Sequence, residues 1–237
     1  GCKKTTEEPL PAKSNSNLTY FGFTLIDVGW DDPKDKEDKT NYLDEVHSFS
    51  NIADILVVDP NESIVERMQN MDAVNVKCVL HLSELFFELK GSGGSKSGSI
   101  YGLRSDYQER WQSFYTTNNL ATNWSLIACF YIGEEPAWNS ISESDFTTAC
   151  DYAKLSFPQV PILNVEAYLS IDELYTPNSV DWVAFDHYFL QNPSSNADFV
   201  SELNIMKSKL KPHQKMFLIM DSHWIKTFHG GSGISRN

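Results

Sequence analysis

The stretch Ile127-Ala-Cys-Phe-Tyr-Ile-Gly-Glu-Glu-Pro-Ala-Trp138 decides the fold of this chain. Its apolar run stops abruptly at two adjacent carboxylates, Glu134 and Glu135, which are followed by a proline. An uninterrupted apolar run is typical of a strand buried on both faces, as in a parallel sheet. In α/β folds the loops after such strands carry the chemistry. The stretch therefore predicts a parallel strand with a functional site at its carboxyl end. A solvated acidic loop is the alternative.

Seven segments of the chain have strand character, and segments with helical spacing separate them. The predicted strands span residues 19–27, 52–59, 74–82, 124–133, 160–166, 182–186 and 215–221. Alternating β and α elements imply a parallel sheet with right-handed crossovers. The sequence after the seventh segment is too short for an eighth strand and its helix. We therefore expect residues 18–237 to form one α/β domain, a parallel (β/α) barrel whose eighth strand is missing.

The segments between the predicted strands also contain local signals. Ser142-Glu-Ser-Asp145 matches a capping box and predicts the start of a helix. Residues 82–89 are predicted to be an amphipathic segment that follows the third strand. Residues 91–99, Gly-Ser-Gly-Gly-Ser-Lys-Ser-Gly-Ser, predict a flexible loop inserted into the domain.

Composition narrows the class of ligand. The chain of 237 residues has 19 Lys and Arg against 32 Asp and Glu, a formal charge of −13. This balance argues against nucleic acid, since binding to phosphate backbones requires clustered Lys and Arg. Aromatic residues make up 13% of the chain, with six Trp. Aromatic planes stack on sugar rings and carboxylates accept sugar hydroxyls, so we expect a carbohydrate ligand and no cofactor.

The cysteines predict two different roles. Cys78, Cys129 and Cys150 lie in strand-like or helical runs and are expected to be small buried hydrophobes. Cys2 lies in Gly1-Cys2-Lys3-Lys4, ahead of a polar stretch that reaches Asn17. This resembles the start of a mature bacterial lipoprotein. We expect a lipid anchor on Cys2, a flexible tether over residues 1–17, and attachment to a membrane of the bacterial cell envelope, periplasmic or surface-exposed. A free cysteine on a disordered tail is the alternative.

Polar and aromatic residues follow the predicted strands at the same relative position. These strand-end residues are Asp27, Trp30, His81, Glu134, Glu135, Trp138, Glu166, Tyr168, Asp186, Tyr188, Asp221, His223 and Trp224. If the strands close into a barrel, their carboxyl ends meet at one rim and these side chains converge on a single pocket.

The strand-end pattern resembles the TIM-barrel glycoside hydrolases, and especially the large clan with an Asn-Glu-Pro signature after strand four. Glu134-Glu135-Pro136 occupies the signature position here, and Asp186 and Tyr188 resemble residues that line the sugar subsite in that clan. The resemblance covers residues 19 to 225. It implies a TIM-type barrel, hydrolysis of oligo- or polysaccharide, and Glu135 as the acid/base.

By the same resemblance, Asp221 at the end of the seventh strand takes the place of the second catalytic carboxylate. The sugar-binding set is then Asp27, Trp30, Glu134, Trp138, Glu166, Tyr168, Asp186, Tyr188, His223 and Trp224. The chain departs from the family where Glu134 replaces Asn and Asp221 replaces Glu. Carboxyls about 5–5.5 Å apart favour a covalent intermediate, and about 6.5–9.5 Å leaves room for water. The shorter Asp221 favours the water route.

Two other functions fit the same residues. A non-catalytic carbohydrate-binding barrel would explain both departures from the family signature. A metal-dependent hydrolase would use strand-end histidines and aspartates, namely His81, His187, His223, Asp27, Asp186 and Asp221. The chain has neither a His-x-His on the first strand nor a His-x-x-x-His helix, so no metal is assigned.

Overall fold

A computed structural model describes residues 18–31 and 37–222. Its main element is a sheet of seven strands, ordered β1-β2-β3-β6-β7-β8-β9, in which every neighbouring pair is parallel. The strands are β1 Gly22–Asp27, β2 Ile52–Leu56, β3 Lys77–His81, β6 Ile127–Glu134, β7 Ile162–Ala167, β8 Trp182–Asp186 and β9 Lys215–Ile219. The incomplete parallel (β/α) barrel is thereby confirmed.

Helices connect the strands in chain order. They are α1 Leu43–Val46, α2 Val65–Ala73, α3 Ser83–Phe86, α4 Tyr107–Thr117, α5 Leu120–Asn123, α6 Glu143–Ser156 and α7 Ala197–Lys209, with short 3₁₀ turns at Trp124–Leu126, Tyr168–Glu173 and Pro193–Ser195. The start of α6 was predicted correctly, because the Ser142 hydroxyl accepts the Asp145 N–H at 3.1 Å. In the part of the chain that is described, no helix has the length and apolar composition to cross a bilayer.

The sheet separates two apolar clusters, because successive side chains of a strand point to opposite faces. The larger cluster lies against the helices and contains, for example, Phe130 and Ile132 of β6. The smaller one lies on the other, concave face and contains Cys129 and Tyr131 of the same strand. Burial of both faces explains why β6 is an almost continuous apolar run.

The cysteine prediction holds for the three thiols that are described. Cys78, Cys129 and Cys150 are free and fully buried. Burial raises the pKa of each thiol well above its ordinary value. The three residues therefore behave as small apolar core residues. Cys2 and the predicted tether over residues 1–17 lie outside the described residues, so the lipid anchor stays a prediction.

The structure agrees only in part with the amphipathic segment predicted over residues 82–89 and the loop predicted over residues 91–99. Helix α3 is a single turn, after which β4 (Phe87–Ser92) and β5 (Ser99–Leu103) form an antiparallel hairpin. Hydrogen bonds within the serine-rich turn order it, since the Ser95 and Ser97 hydroxyls both donate to the Ser99 carbonyl at 2.7 and 3.1 Å. The hairpin also binds the loop after β6: Ser97 N–H donates to Trp138 O and Tyr101 N–H to Asn139 O.

Candidate functional site

The candidate site lies at the carboxyl ends of β6, β7 and β8. Parallel strands end at the same edge of the sheet, so the sequence-distant residues Glu134, Glu166 and Asp186 meet there. Glu134 is the last residue of β6, and Glu135 follows it with a left-handed backbone, φ 47°. A non-glycine residue in this conformation is strained, and such strain is concentrated at functional sites. The Glu135 N–H donates to Val165 O at 2.8 Å, and this bond holds the turn against β7.

The carboxyl groups of Glu135 and Asp186 lie next to each other and interact strongly. One of two such groups must carry the proton, since two adjacent carboxylates resist joint ionisation. Burial and the neighbouring charge of Asp186 raise the pKa of Glu135 above its ordinary value. Burial also raises the pKa of Asp186, while the Tyr188 hydroxyl, which donates to Asp186 at 2.9 Å, opposes that rise. Glu135 is therefore the protonated member of the pair.

Glu134 lies beside this pair and is held by two aromatic rings. The Tyr131 hydroxyl donates to the Glu134 carboxylate, and the His81 ring stacks on Tyr131 with centroids 4.1 Å apart. His81 Nε2 is 3.7 Å from the Glu134 carboxylate and 3.1 Å from the Ser83 hydroxyl. Burial raises the pKa of Glu134, and the hydrogen bond from Tyr131 partly offsets this. Burial lowers the pKa of His81 to about 4, so this imidazole is neutral at pH 7.

Glu166 of β7 has a structural role at the same rim. Its carboxylate accepts three backbone N–H bonds, from Ala137 at 2.9 Å, Trp138 at 3.1 Å and Ala167 at 3.0 Å. Burial raises its pKa to about 7 despite these bonds. The side chain is fully buried, so Glu166 orders the loop that carries Glu135. That loop also positions Trp138, which is half-buried and was predicted to bind sugar.

Two further strand-end residues predicted to bind sugar have partners of their own. Asp27 is buried and forms a bidentate ion pair with Arg67, at 2.7 and 2.8 Å. Tyr168 stacks on His187 with centroids 3.8 Å apart, and His187 Nδ1 lies 2.6 Å from Glu202. These contacts fix the rim loops.

The remaining predicted residues are more peripheral or outside the described part. Trp30 is exposed to 52%. Asp221 follows β9 and accepts the Phe189 N–H at 2.8 Å, so it is next to the loop that follows β8. His223 and Trp224 lie outside the described residues. Within residues 18–31 and 37–222, no group of three or more His, Cys, Asp and Glu side chains is arranged to hold a metal ion.

Two cavities open at the site, and Glu134 lines both. The outer cleft has a volume of about 340 Å³ and is lined by Ser83, Glu84, Phe87, Ser97, Ser99, Tyr101, Glu134, Asn139 and Ile141. The inner pocket has a volume of about 80 Å³. The outer cleft reaches the size of small-molecule sites, and the hairpin forms one of its walls.

Sequence reasoning missed the residues of the hairpin wall and two polar residues on the concave face. Tyr131 lies inside an apolar run, where no local pattern distinguishes it from its neighbours. Asp54 is fully buried in the middle of β2. An aspartate inside the apolar run Ile52–Leu56 was the available signal, because a charged residue is rarely placed in a buried strand without a function.

Comparisons with known proteins find similarity only at the level of solved structures. No protein-family profile matches the chain, and a comparison with curated protein sequences finds no match. Saccharomyces cerevisiae Gas2p in complex with laminaritriose and laminaritetraose is 13% identical, with a TM-score of 0.48 over 73% of this chain and 41% of Gas2p. Gas2 in complex with compound 7 is 12% identical, with a TM-score of 0.48 over 76% of this chain and 43% of the Gas2 chain. The chain spans about two fifths of the Gas2p structures.

Proposed function

We propose that this protein hydrolyses glycosidic bonds in an oligo- or polysaccharide by carboxylate acid/base catalysis. The observation that carries the proposal is the pair of adjacent carboxyl groups, Glu135 and Asp186, at the carboxyl rim of the barrel. A glycosidic oxygen is a poor leaving group until it is protonated, so hydrolysis needs a carboxyl group that keeps its proton near neutral pH. The raised pKa of Glu135 gives it that property.

In the proposed reaction, Glu135 donates its proton to the glycosidic oxygen as the bond to the anomeric carbon breaks. The second carboxylate either attacks that carbon or activates a water molecule. Asp186 is unsuited to this part, because two adjacent, directly interacting carboxyls are too close to lie on opposite sides of a sugar ring. We assign it to Asp221, which follows the seventh strand of the barrel. Asp186 is then the group that keeps the proton on Glu135.

The outer cleft supports a carbohydrate as the ligand. Its wall has hydroxyl and amide groups from Ser97, Ser99, Tyr101 and Asn139, which donate to and accept from sugar hydroxyls. Tyr101 also offers a ring face for stacking on the apolar side of a sugar. Glu134, the residue before Glu135, lines the cleft, and the proposed reaction requires Glu135 to reach a chain bound there.

The proposal is tested by Glu135→Gln, which keeps the shape of the side chain but removes the proton. We expect turnover of an oligosaccharide substrate to fall by roughly 10²–10⁴-fold while binding survives. Products are measured by chromatography across a panel of oligosaccharides, with Glu143→Gln, an exposed glutamate of α6, as the control. A cleavage rate unchanged by Glu135→Gln would contradict the assignment.

A non-catalytic carbohydrate-binding barrel is the second candidate, and one observation favours it. Asp221 accepts the Phe189 N–H, which ties its carboxylate to a loop. Glu166 is similarly tied by three N–H donors. If wild-type protein binds oligosaccharides by calorimetry but cleaves none of the panel, the binding function replaces the hydrolytic one. If chelator abolishes activity and zinc restores it, a metal-dependent hydrolase replaces both.

A further inference from the structure

The inner pocket lies on the concave face of the sheet, and of its lining residues the proposed acid/base reaction uses only Asp186. It is lined by Thr24, Leu25, Asp54, His81, Tyr131, Glu134, Asp186, Tyr188 and Ile219. Its volume of about 80 Å³ is far below the 300 Å³ or so of a typical ligand pocket, yet it is ample for a water-sized group. The pocket therefore suits one small polar substituent rather than a whole sugar ring.

Asp54 is the unusual member of this lining. Its side chain is fully buried, and Oδ1 accepts the Ile26 N–H at 2.9 Å. Oδ2 has no hydrogen-bond partner among the described residues, and His81 Nδ1 is 4.0 Å away. A buried carboxylate oxygen without a donor is costly, since it has lost water and gained nothing in return. A ligand that brings a donor into the pocket removes that cost.

No positively charged side chain is found among the described residues that line the pocket. Asp54, Glu134 and Asp186 line it, and none of its described lining residues is Lys or Arg. His81 is neutral near pH 7 because burial lowers its pKa to about 4. The guanidinium of Arg67, on the next helix, is bound to Asp27 and Glu62. Three acidic side chains therefore share a small space, and no cation from residues 18–31 or 37–222 lines it.

We propose that the inner pocket binds the ammonium group of an amino sugar whose ring lies in the outer cleft. This inference rests on the proposed carbohydrate ligand and specifies its class. Glu134 lines both cavities, so a ring in the outer cleft can direct a substituent past it towards Asp54. The hydroxyl and amide groups of the outer cleft bind the rest of the ring.

An ammonium fits this lining better than a hydroxyl or an acetamide. It has three donors and no acceptor, so it opposes a ring of carboxylate oxygens without any repulsive lone pair. Its charge interacts favourably with three acids in a poorly solvated space. A hydroxyl brings lone pairs towards the same oxygens. An N-acetyl group replaces the charge with a neutral amide and brings a carbonyl acceptor towards the same oxygens.

The test is isothermal titration calorimetry at pH 6.5 with two trisaccharides of equal length, one of glucosamine and one of N-acetylglucosamine. Wild-type protein should bind the glucosamine form at least tenfold more tightly, as expected for a charge-assisted hydrogen bond. Asp54→Asn keeps the Oδ1 acceptor but removes the charge. It should weaken binding of the glucosamine form by roughly tenfold and change binding of the acetylated form by less than about twofold.

Equal affinity of wild-type protein for the two trisaccharides overturns the inference. Because this comparison uses only wild-type protein, it does not depend on whether a variant folds. An unchanged preference in folded Asp54→Asn also overturns it. Glu135→Gln separates the two proposals, since it should stop turnover and keep the preference for the amine. If neutral oligosaccharides are cleaved and no preference is found, the amino-sugar inference fails alone. If the preference is found and nothing is cleaved, the hydrolytic function fails alone.

Discussion

Tyr20, which precedes β1, packs against Trp182 of β8 with ring centroids 5.3 Å apart. Tyr20 also stacks on Phe217 of β9 at 6.4 Å, and Phe217 stacks on Trp182 at 4.6 Å. Strands β1 and β9 are the two edges of the sheet, so these contacts bring its ends together at the amino-terminal side. An aromatic cluster thus holds seven strands in the curved arrangement that directs their carboxyl ends to one site.

Replacement of Tyr20 by Ala should loosen this contact between the sheet edges. We expect the free energy of unfolding to fall by about 1–3 kcal/mol, because a half-buried ring and two aromatic contacts are lost. Urea unfolding followed by circular dichroism measures the change. Tyr20→Phe retains the ring and should stay within about 0.5 kcal/mol of wild type. Equal stability of Tyr20→Ala and wild type would show that the cluster does not hold the edges.

Gly133 precedes the two glutamates of the site and has no room for a side chain. A Cβ there would be 2.0 Å from Asn164 Oδ1 and 2.9 Å from a ring carbon of Phe146. Gly133→Ala should therefore destabilise the fold by roughly 1–3 kcal/mol and weaken ligand binding by moving Glu134. Gly91→Ala is the matched control, since a Cβ at Gly91 has open space around it. Thermal unfolding measures the stability of each variant, and calorimetry measures its affinity for ligand. If Gly133→Ala and Gly91→Ala cannot be distinguished, the prediction is refuted.

Asp186 should control the pH range in which Glu135 holds its proton. The charge of Asp186 raises the pKa of Glu135, second only to burial. In Asp186→Asn that charge is absent, so Glu135 loses its proton at a lower pH. We expect the alkaline limb of the profile of kcat/KM against pH to move to lower pH. Glu143→Gln should leave the limb in place, and a limb that moves to higher pH contradicts the assigned pair.

Asp54 should make the fold less stable as pH rises. Burial raises its pKa from 3.8 to about 6, so the folded state binds a proton that the unfolded state releases. The contribution of Asp54 to stability is fully present below about pH 4 and is lost as pH rises through 6, by an amount on the order of 3 kcal/mol. Asp54→Asn removes this contribution, and the exposed Asp151→Asn does not. Urea unfolding at pH 4.5 and pH 7 measures how the free energy of unfolding changes with pH in each protein. The same change in Asp54→Asn and wild type would contradict the prediction.

Asp221→Asn tests the second carboxylate of the proposed reaction. Asn keeps an oxygen that accepts the Phe189 N–H, so the loop after β8 should stay in place. Loss of the charge should lower turnover by roughly 10²–10⁴-fold, as for Glu135→Gln, with little change in oligosaccharide affinity. The readouts are product formation and calorimetry. Turnover within about twofold of wild type would move the role of second carboxylate to another residue.

The sequence predicted the order of the strands and the edge on which the acids lie, because both depend on local patterns. A buried parallel strand is an apolar run over about six residues, and its carboxyl end is the first polar residue after it. For this reason β8 was predicted with its observed bounds, and the strands that were drawn too long still ended near Glu134 and Glu166. The predicted loop at residues 91–99 was drawn too long, because its ends pair with each other in β4 and β5, and residues 93–98 form the turn between them.

The sequence by itself thus determined a parallel (β/α) barrel with a carboxylate cluster at one rim. Only the tertiary structure decided what each carboxylate does. It paired Glu135 with Asp186, tied Glu166 to three backbone donors, and left one oxygen of Asp54 without a donor in a pocket of the concave face. The physical reason is distance along the chain: Glu135 and Asp186 are 51 positions apart, so strand register and sheet curvature, which no local pattern encodes, determine whether they meet.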